Sequence, residues 1–307
     1  MNADPINKSL VRLHFDRHAH EYERFADVQL GMAQRLAGLA SETLNAADGA
    51  GCGAVRRILE IGCGTGRLTM RLAAAFPEAR IDCIDLSERM IAVAKRNVAQ
   101  TGDFADRVSF TAADAESYVP ALAAEAAERP MFDLIVSNAT FQWLNAPHRT
   151  TQACVRLLRP LGGVLAFSTF GPGTFRQLHH CFAEAERLLG LPPTPHGQSF
   201  AGREAWGACF IGEPGRFSWQ DDSVTEISAD VRTFLQRVKR IGAGNALTGG
   251  SSGIGGRKLL ETMERLYIER FTAPEGGVKA DYVIGYGTFT ACAPTCGGDL
   301  VEDSAGS

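Results

Sequence analysis

LEIGCGTGRLT, residues 59–69, is the stretch on which the fold turns. An apolar run enters Gly62, Gly64 and Gly66, and a helix-forming segment begins immediately after them. Glycines are required there if a ligand must approach the backbone closely or if the turn takes positive φ. A dinucleotide-binding loop would carry its third glycine where Arg67 stands, so the spacing argues against NAD or FAD. Glu60, one residue before the end of the run, is also unlike a pyrophosphate site. It suits a cofactor with a cationic centre and no phosphates.

Outward from this loop, apolar strand-like runs recur at 55–61, 80–85, 108–111, 132–137 and 163–169. Helical stretches at 68–76, 87–100, 117–128 and 147–158 separate most of them. This alternation implies parallel βαβ units, an α/β fold with an open sheet covered by helices on both faces. Ligands of such sheets bind at the carboxyl ends of the strands. Two acids occupy that level: Asp85, about 20 residues beyond the loop, where a carboxylate accepts ribose hydroxyls, and Asp114, placed to accept from an adenine amino group.

The motif set LEIGCGTG, CIDLSERM, AADAES, FDLIVSN and LLRPLGGVLAFST, spread over residues 55–170, resembles the class I S-adenosylmethionine-dependent methyltransferases. The resemblance implies a Rossmann-like, seven-stranded, mostly parallel sheet whose last strand is antiparallel. Carried over by position, Glu60, Gly62, Gly64 and Gly66 line the methionine end of S-adenosylmethionine, Asp85 binds ribose, and Asp114 with Ala115 flanks adenine. Cys63, Leu86, Met90 and Asn138 complete the implied cofactor-binding set, with no metal.

The flanks HFDRHAHEYERFADVQ (14–29), SNATFQWL (137–144), FSTFGPGTFRQL (167–178) and LQRVKRIGAGNAL (235–247) narrow the resemblance to the malonyl-acyl-carrier-protein O-methyltransferase family of biotin synthesis. That implies malonyl-acyl-carrier protein, or malonyl-coenzyme A, as substrate. Trans-aconitate-type carboxyl methyltransferases share part of the core pattern. A repurposed methyltransferase fold, acting as an assembly factor or hydroxylase, is the reading from another class. A carboxylate acceptor is already ionised at neutral pH, so methyl transfer to it needs no general base. Rate then comes from alignment in a dry pocket whose donors are neutral. Tyr22, Gln142, Trp143 and Lys239 are the sequence's candidates for positioning the substrate.

The rest of the 307 residues is organised around that core. Residues 1–45 read as a helical cap, helical over 8–45 with Phe15, Ala19, Tyr22 and Ala26 on one side, folding over the cofactor cleft. A glycine-rich link at 46–53 separates it from a cofactor-binding core at 55–173. Residues 174–281 read as a helical lid over the substrate, with helices at 174–189, 202–210, 229–241 and 256–271 and one core strand near 217–221. A final strand at 282–292 and a frayed acidic tail at 293–307 follow.

Net charge is −4, which excludes a chain-wide pull toward nucleic acid. Residues 228–270 nevertheless carry eight basic and four acidic side chains, a candidate docking face for an acidic carrier protein. No apolar run is long enough to span a membrane. The opening MNADPINKSL lacks the features of a secretory signal, so a cytoplasmic location and reduced thiols are expected for the eight cysteines. Cys292 and Cys296 form a lone Cx3C pair, and His14 and His18 stand i, i+4 without a third ligand, so no metal site is expected. TGGSSGIGG, residues 248–256, resembles a short-chain dehydrogenase loop, but no strand precedes it and no βαβ repeats follow. It reads as a connector.

Overall fold

A computed structural model describes residues 5–48, 54–101, 104–125, 131–240 and 254–292. Strands β1 (Arg57–Ile61), β2 (Arg80–Asp85), β3 (Val108–Ala112), β4 (Leu134–Asn138) and β5 (Val164–Phe170) run parallel. With β6 (Gly215–Ser228) and β7 (Val278–Ala291) they form a seven-stranded sheet of order β3-β2-β1-β4-β5-β7-β6, in which β7 is antiparallel to both neighbours. Chain order reverses between β1 and β4. The carboxyl ends of those two strands therefore form the crevice in which open α/β sheets bind ligands.

Period-two alternation explains why both faces are buried. Ile58, Leu134, Val136, Val164 and Ala166 point to one face, where α2 (Asp27–Asp48), α3 (Arg67–Ala75), α7 (Arg176–Leu189), α9 (Val231–Arg240) and α10 (Ile254–Phe271) supply Leu36, Leu72, Leu178, Phe234 and Tyr267. Leu59, Ile61, Ile135, Leu165 and Phe167 point to the other, against Val119 of α5 (Ala115–Ala124), Leu157 of α6 (Pro147–Leu157) and Trp206 of α8 (Arg203–Gly207). Fully burying one such aliphatic or aromatic side chain contributes roughly 2 kcal/mol. Gly285 and Gly287 of β7 belong to this packing, because a Cβ there would lie 2.0 Å from the Trp219 ring and 2.4 Å from the Phe167 ring.

Three sequence expectations are modified. The helix expected over 8–45 is broken: α1 (Lys8–His18) ends, a 3-10 turn spans Tyr22–Arg24, and α2 then begins. The break is held by the i+3 hydrogen bond from Glu21 N–H to the His18 carbonyl and by the Arg240 guanidinium, 4.7 Å from the centre of the Phe25 ring. The strands expected at 217–221 and 282–291 are each fourteen residues long and pair over their whole length, from Gly215 opposite Ala291 to Ser228 opposite Val278. β6 is an edge strand with one solvated face, and its polar residues 220–223 hide it from a reading based on apolar runs. The helix expected at 117–128 begins two residues earlier, because Asp114 caps it by accepting from Glu116 N–H at 3.0 Å. Most of the 46–53 link, the 248–253 part of the glycine-rich connector and the 293–307 tail lie outside the described residues.

Candidate active site

The glycine loop turns between β1 and α3 through three left-handed residues, Gly62 (φ 77°), Gly64 (φ 53°) and Gly66 (φ 83°). The amides of Gly62 and Cys63 donate to the Ile84 carbonyl, fastening the loop to β2. The glycines do different work. A Cβ on Gly62 would fall 2.0 Å from the Thr140 hydroxyl oxygen, so this glycine permits β4's end to approach. One on Gly66 would press on Ala94 at 3.2 Å, where α4 (Glu88–Thr101) packs. At Gly64 a Cβ would meet no protein atom within 4 Å. That space is part of the cleft.

Three acids border it in unlike environments. Glu60 is 1% exposed and accepts from the Thr69 hydroxyl at 2.6 Å, while the Cys83 thiol lies 3.5 Å from the same oxygen. Burial raises its pKa to about 7. Asp85 accepts N–H from Gly64 on one oxygen and from Ser87 on the other, both at 2.8 Å. Burial, opposed by those bonds, leaves its pKa at about 6. Asp114 receives the Lys8 ammonium at 3.1 Å.

At the end of β4 the backbone is strained: Ala139 holds φ 50° without being glycine. Its N–H donates to the Ser168 carbonyl, and the chain then enters the 3-10 turn Phe141–Trp143. Asn138 links three elements. Its amide donates to the Gln29 carbonyl at 3.1 Å and accepts from the Ser168 hydroxyl at 2.7 Å. Gln142 has both amide ends engaged, donating to the Ala139 carbonyl at 2.8 Å and accepting from the Thr169 hydroxyl at 3.2 Å. The nearby Gln29 differs: it is 6% exposed and its Oε1 has no hydrogen-bond partner.

These groups line two adjacent spaces that share a wall. The larger, about 1010 Å³, is bounded by Glu60, Gly62, Cys63, Gly64, Asp85, Leu86, Met90, Asp114, Ala115 and Asn138. Of the residues that the sequence assigned to the cofactor, Gly66 alone does not border it, because it packs on Ala94 of α4. The smaller, about 300 Å³, is bounded by Gln142, Phe170, Gln198 and Phe200 and shares Phe15, Tyr22, Gln29, Ala139 and Trp143 with the first. Tyr22 and Trp143 thus stand at the junction. Burial and the nearby Asp85 carboxylate push the Tyr22 pKa up, so its hydroxyl stays a neutral donor. Lys239 is not brought in. It is exposed on α9 and borders neither space.

The cover over the larger space comes from the N-terminus. Lys8, Val11 and Phe15 of α1, Ala26 just before α2, and Gln29 and Ala33 on its first turns form its outer wall. α1 is anchored at both ends: the Ile6 backbone exchanges hydrogen bonds with the Asn145 amide, and Asp16 accepts from the Ser87 hydroxyl at 2.6 Å. Among the described residues, no side chain of 174–281 borders this space, and α7 and α10 instead pack on the sheet. The expected lid thus serves mainly as a sheet layer. Phe170, Gln198 and Phe200, around the smaller space, come from β5 and from the loop after α7.

A family profile described as a methyltransferase domain matches residues 59–165. A malonyl-acyl-carrier-protein O-methyltransferase of Priestia megaterium is 38% identical over 249 residues, covering 78% of this chain and 83% of the relative. One from Geobacter sulfurreducens is 35% identical, covering 92% and 98%. The chain belongs to the malonyl-acyl-carrier-protein O-methyltransferase family. Its fold is also that of the YcgJ protein from Bacillus subtilis, with a TM-score of 0.51 at 15% identity, covering 83% of this chain and all of that one. As a member of this family it is an S-adenosylmethionine-dependent O-methyltransferase, and the larger space suits that cofactor. Gly64 leaves room against bare backbone, Asp85 keeps lone pairs beyond its two amide partners, and Leu86, Met90 and Ala115 give an apolar wall to a purine.

Gln29 is the residue that sequence reasoning missed. The signal was a lone amide in the otherwise apolar helical stripe Ala26, Ala33, Leu36 and Ala40. Lys8 and Asp16, which close the cap, were likewise not singled out by the sequence. His14 meets the Arg240 carbonyl at 3.2 Å and His18 meets Glu21 at 3.0 Å, so both are engaged structurally. Among the described residues no three His, Cys, Asp or Glu side chains gather as a metal site, and no helix is long and apolar enough to cross a membrane. Cys63, Cys83, Cys154, Cys181 and Cys209 are buried free thiols and Cys292 is an exposed one, while Cys52 and Cys296 lie outside the described residues. The basic excess at 228–270 is largely engaged in ion pairs, Arg232 with Glu264, Arg257 with Glu261 and Arg265 with Glu269 among them.

Proposed function

We propose that this chain methylates the free carboxylate of a malonyl thioester, carried by acyl-carrier protein, at the start of biotin synthesis. The relatives' names supply the substrate class. The observation that carries the reading here is the composition of the smaller space: Tyr22, Gln29, Gln142 and Gln198 are its polar side chains, and none of its bordering residues is charged. A carboxylate held by an ammonium or guanidinium would lose nucleophilicity. One held by neutral amides and a phenol keeps it.

When bound, S-adenosylmethionine supplies a methyl group on a sulfonium, an electrophile whose transfer to a carboxylate leaves a neutral thioether and moves no proton. No residue is therefore needed as a base. In this reading Asp85 holds the ribose hydroxyls, Asp114 and Ala115 flank the adenine, and Glu60, Gly62, Cys63 and Gly64 form the floor at the methionine end. Trp143 and Tyr22 frame the opening between the two spaces. Gln29 presents its unpaired amide end to the carboxylate, and turning the amide over brings Nε2 to the same place as Oε1. Gln142 supports the wall, since its own amide is already engaged. The arrangement acts by alignment and by excluding water.

The reading is tested by incubating the protein with S-adenosylmethionine and malonyl, succinyl or acetyl thioesters and measuring S-adenosylhomocysteine. Malonyl is expected to turn over fastest and acetyl, which has no free carboxylate, not at all. Equal turnover of acetyl thioester, or none of malonyl, would overturn it.

A further inference from the structure

An open groove runs along α7, bordered by Pro172, Thr174, Arg176, His179 and Ala183 on one side and by residues 193–200 on the other. Its far wall is fixed. His196 stacks on Phe182 with ring centres 3.9 Å apart and reaches the buried Glu186 carboxylate at 2.7 Å, and Glu186 also accepts from the Thr194 amide at 3.1 Å. Gly197 lies so close to α7 that a Cβ would sit 2.3 Å from His179. At its inner end the groove shares Gln198 and Phe200 with the smaller space beside Trp143. Gln198 is held there by donating to the Gln142 carbonyl at 2.6 Å, and Phe200 by edge contact with Phe170 at 5.7 Å. Groove, smaller space and cofactor cleft thus lie in succession and share walls.

Resting on the function proposed above, we infer that this groove is the access channel for the phosphopantetheine arm of a carrier-bound thioester, with Arg176 meeting its phosphate. Such an arm is long, thin and uncharged between its thioester and its phosphodiester, so it needs an extended trough with a cation only at the outer end. Arg176 is 72% exposed, and it is the sole arginine or lysine among the described residues bordering the groove. Its ion pair with Asp281 uses one edge of a guanidinium that carries five N–H donors, which leaves it able to take a second anion. One guanidinium matches the single phosphodiester of a carrier-bound arm. Coenzyme A brings three phosphates, and the groove offers no further lysine or arginine for them.

The test compares steady-state kinetics of malonyl-carrier protein, malonyl-coenzyme A and malonyl-N-acetylcysteamine, the last having a short arm and no phosphate. Two variants at exposed positions are used, Arg176→Ala and Ala183→Trp, the second filling the trough without altering charge. For each, KM for malonyl-carrier protein is expected to rise at least fivefold at little-changed kcat, and the preference for carrier-bound over short thioester to fall by the same factor. Equal losses on the short and carrier-bound thioesters, or no loss on either, would overturn the channel. Loss confined to coenzyme A would overturn the assignment to carrier protein. If the wild type methylates no malonyl thioester, the functional reading itself fails and the channel falls with it. Turnover by the wild type with insensitive variants removes the channel alone.

Discussion

The Lys8 ammonium lies 3.1 Å from Asp114, which borders the cofactor cleft, and 2.7 Å from Glu116. Lys8 belongs to the cap and both acids to the start of α5, so the contact latches α1 across the mouth of the cofactor cleft. It is partly exposed, and a pair of this kind is worth about 1 kcal/mol or less. Lys8→Ala is expected to speed S-adenosylhomocysteine release about three- to fivefold. Raising salt should speed release from the wild type and change the variant less. Trp143, edge-on to Phe15 of the cap at 6.1 Å, supplies a fluorescence signal for stopped-flow measurement.

Gly62 and Gly64 should respond differently to the same substitution. Gly62→Ala drives a Cβ into Thr140 at positive φ and is expected to lower stability by about 3 kcal/mol or more, seen as a reduced Tm. Gly64→Ala meets only strain, about 1–2 kcal/mol, and leaves a folded protein whose methyl group stands in the cofactor's space. Calorimetric titration should show S-adenosylhomocysteine affinity reduced at least tenfold.

Glu60 makes the cofactor-free protein's stability depend on pH. Its pKa rises from the ordinary 4.5 in the unfolded chain to about 7 in the fold. Between those values the unfolded state has released a proton that the folded state keeps, so stability falls as pH rises through this window and the penalty is complete above 7. The shift corresponds to a loss of up to about 3 kcal/mol. Asp85, raised to about 6, adds in the same direction. Glu60→Gln retains an acceptor for Thr69 and should flatten the fall. Denaturant unfolding at pH 5 and pH 7.5 checks this, and an unchanged slope would count against a buried, protonated Glu60.

Gln29→Leu preserves shape and removes the unpaired amide. Loss of a hydrogen bond to a charged carboxylate is worth about 1.5–3 kcal/mol, so kcat/KM for malonyl thioester should fall roughly 10- to 100-fold. Thermal stability should hold or rise, because a buried polar atom without a partner disappears. A stability loss matching the activity loss would mark Gln29 as structural.

The residues that border the larger space were legible because they are local. Asp85 ends a strand and Gly62, Gly64 and Asp114 follow strands, and strand ends in a parallel sheet share one level, so spacing along the chain translates into position. The smaller space, proposed for the substrate, is assembled from distant segments. Gln29, Gln142 and Gln198 come together only when the first turn of α2, the end of β4 and the loop after α7 converge, and no periodicity reports that. Gln142 shows the limit from the other side: its place after β4 was read correctly, yet its amide faces the protein. Lys239 was read from a helix whose apolar stripe is real, with Val231, Phe234 and Val238 buried, but that stripe packs on the sheet and turns the lysine to solvent. The break at 19–26 arises from tertiary contacts to Arg240, 215 residues beyond Phe25 in the sequence, which local propensity does not contain.

Methyl transfer to a carboxylate is tested most directly by following the label. The protein is supplied with malonyl-carrier protein and S-adenosylmethionine carrying an isotopically labelled methyl group, and the thioester product is analysed by mass spectrometry before and after hydrolysis by a carboxylesterase selective for methyl esters. The expected result is one labelled methyl group per malonyl unit, lost on hydrolysis with the thioester intact, and S-adenosylhomocysteine formed in equal amount. Label that survives ester hydrolysis, label on the protein instead of the acyl group, or no label at all would contradict carboxylate methylation.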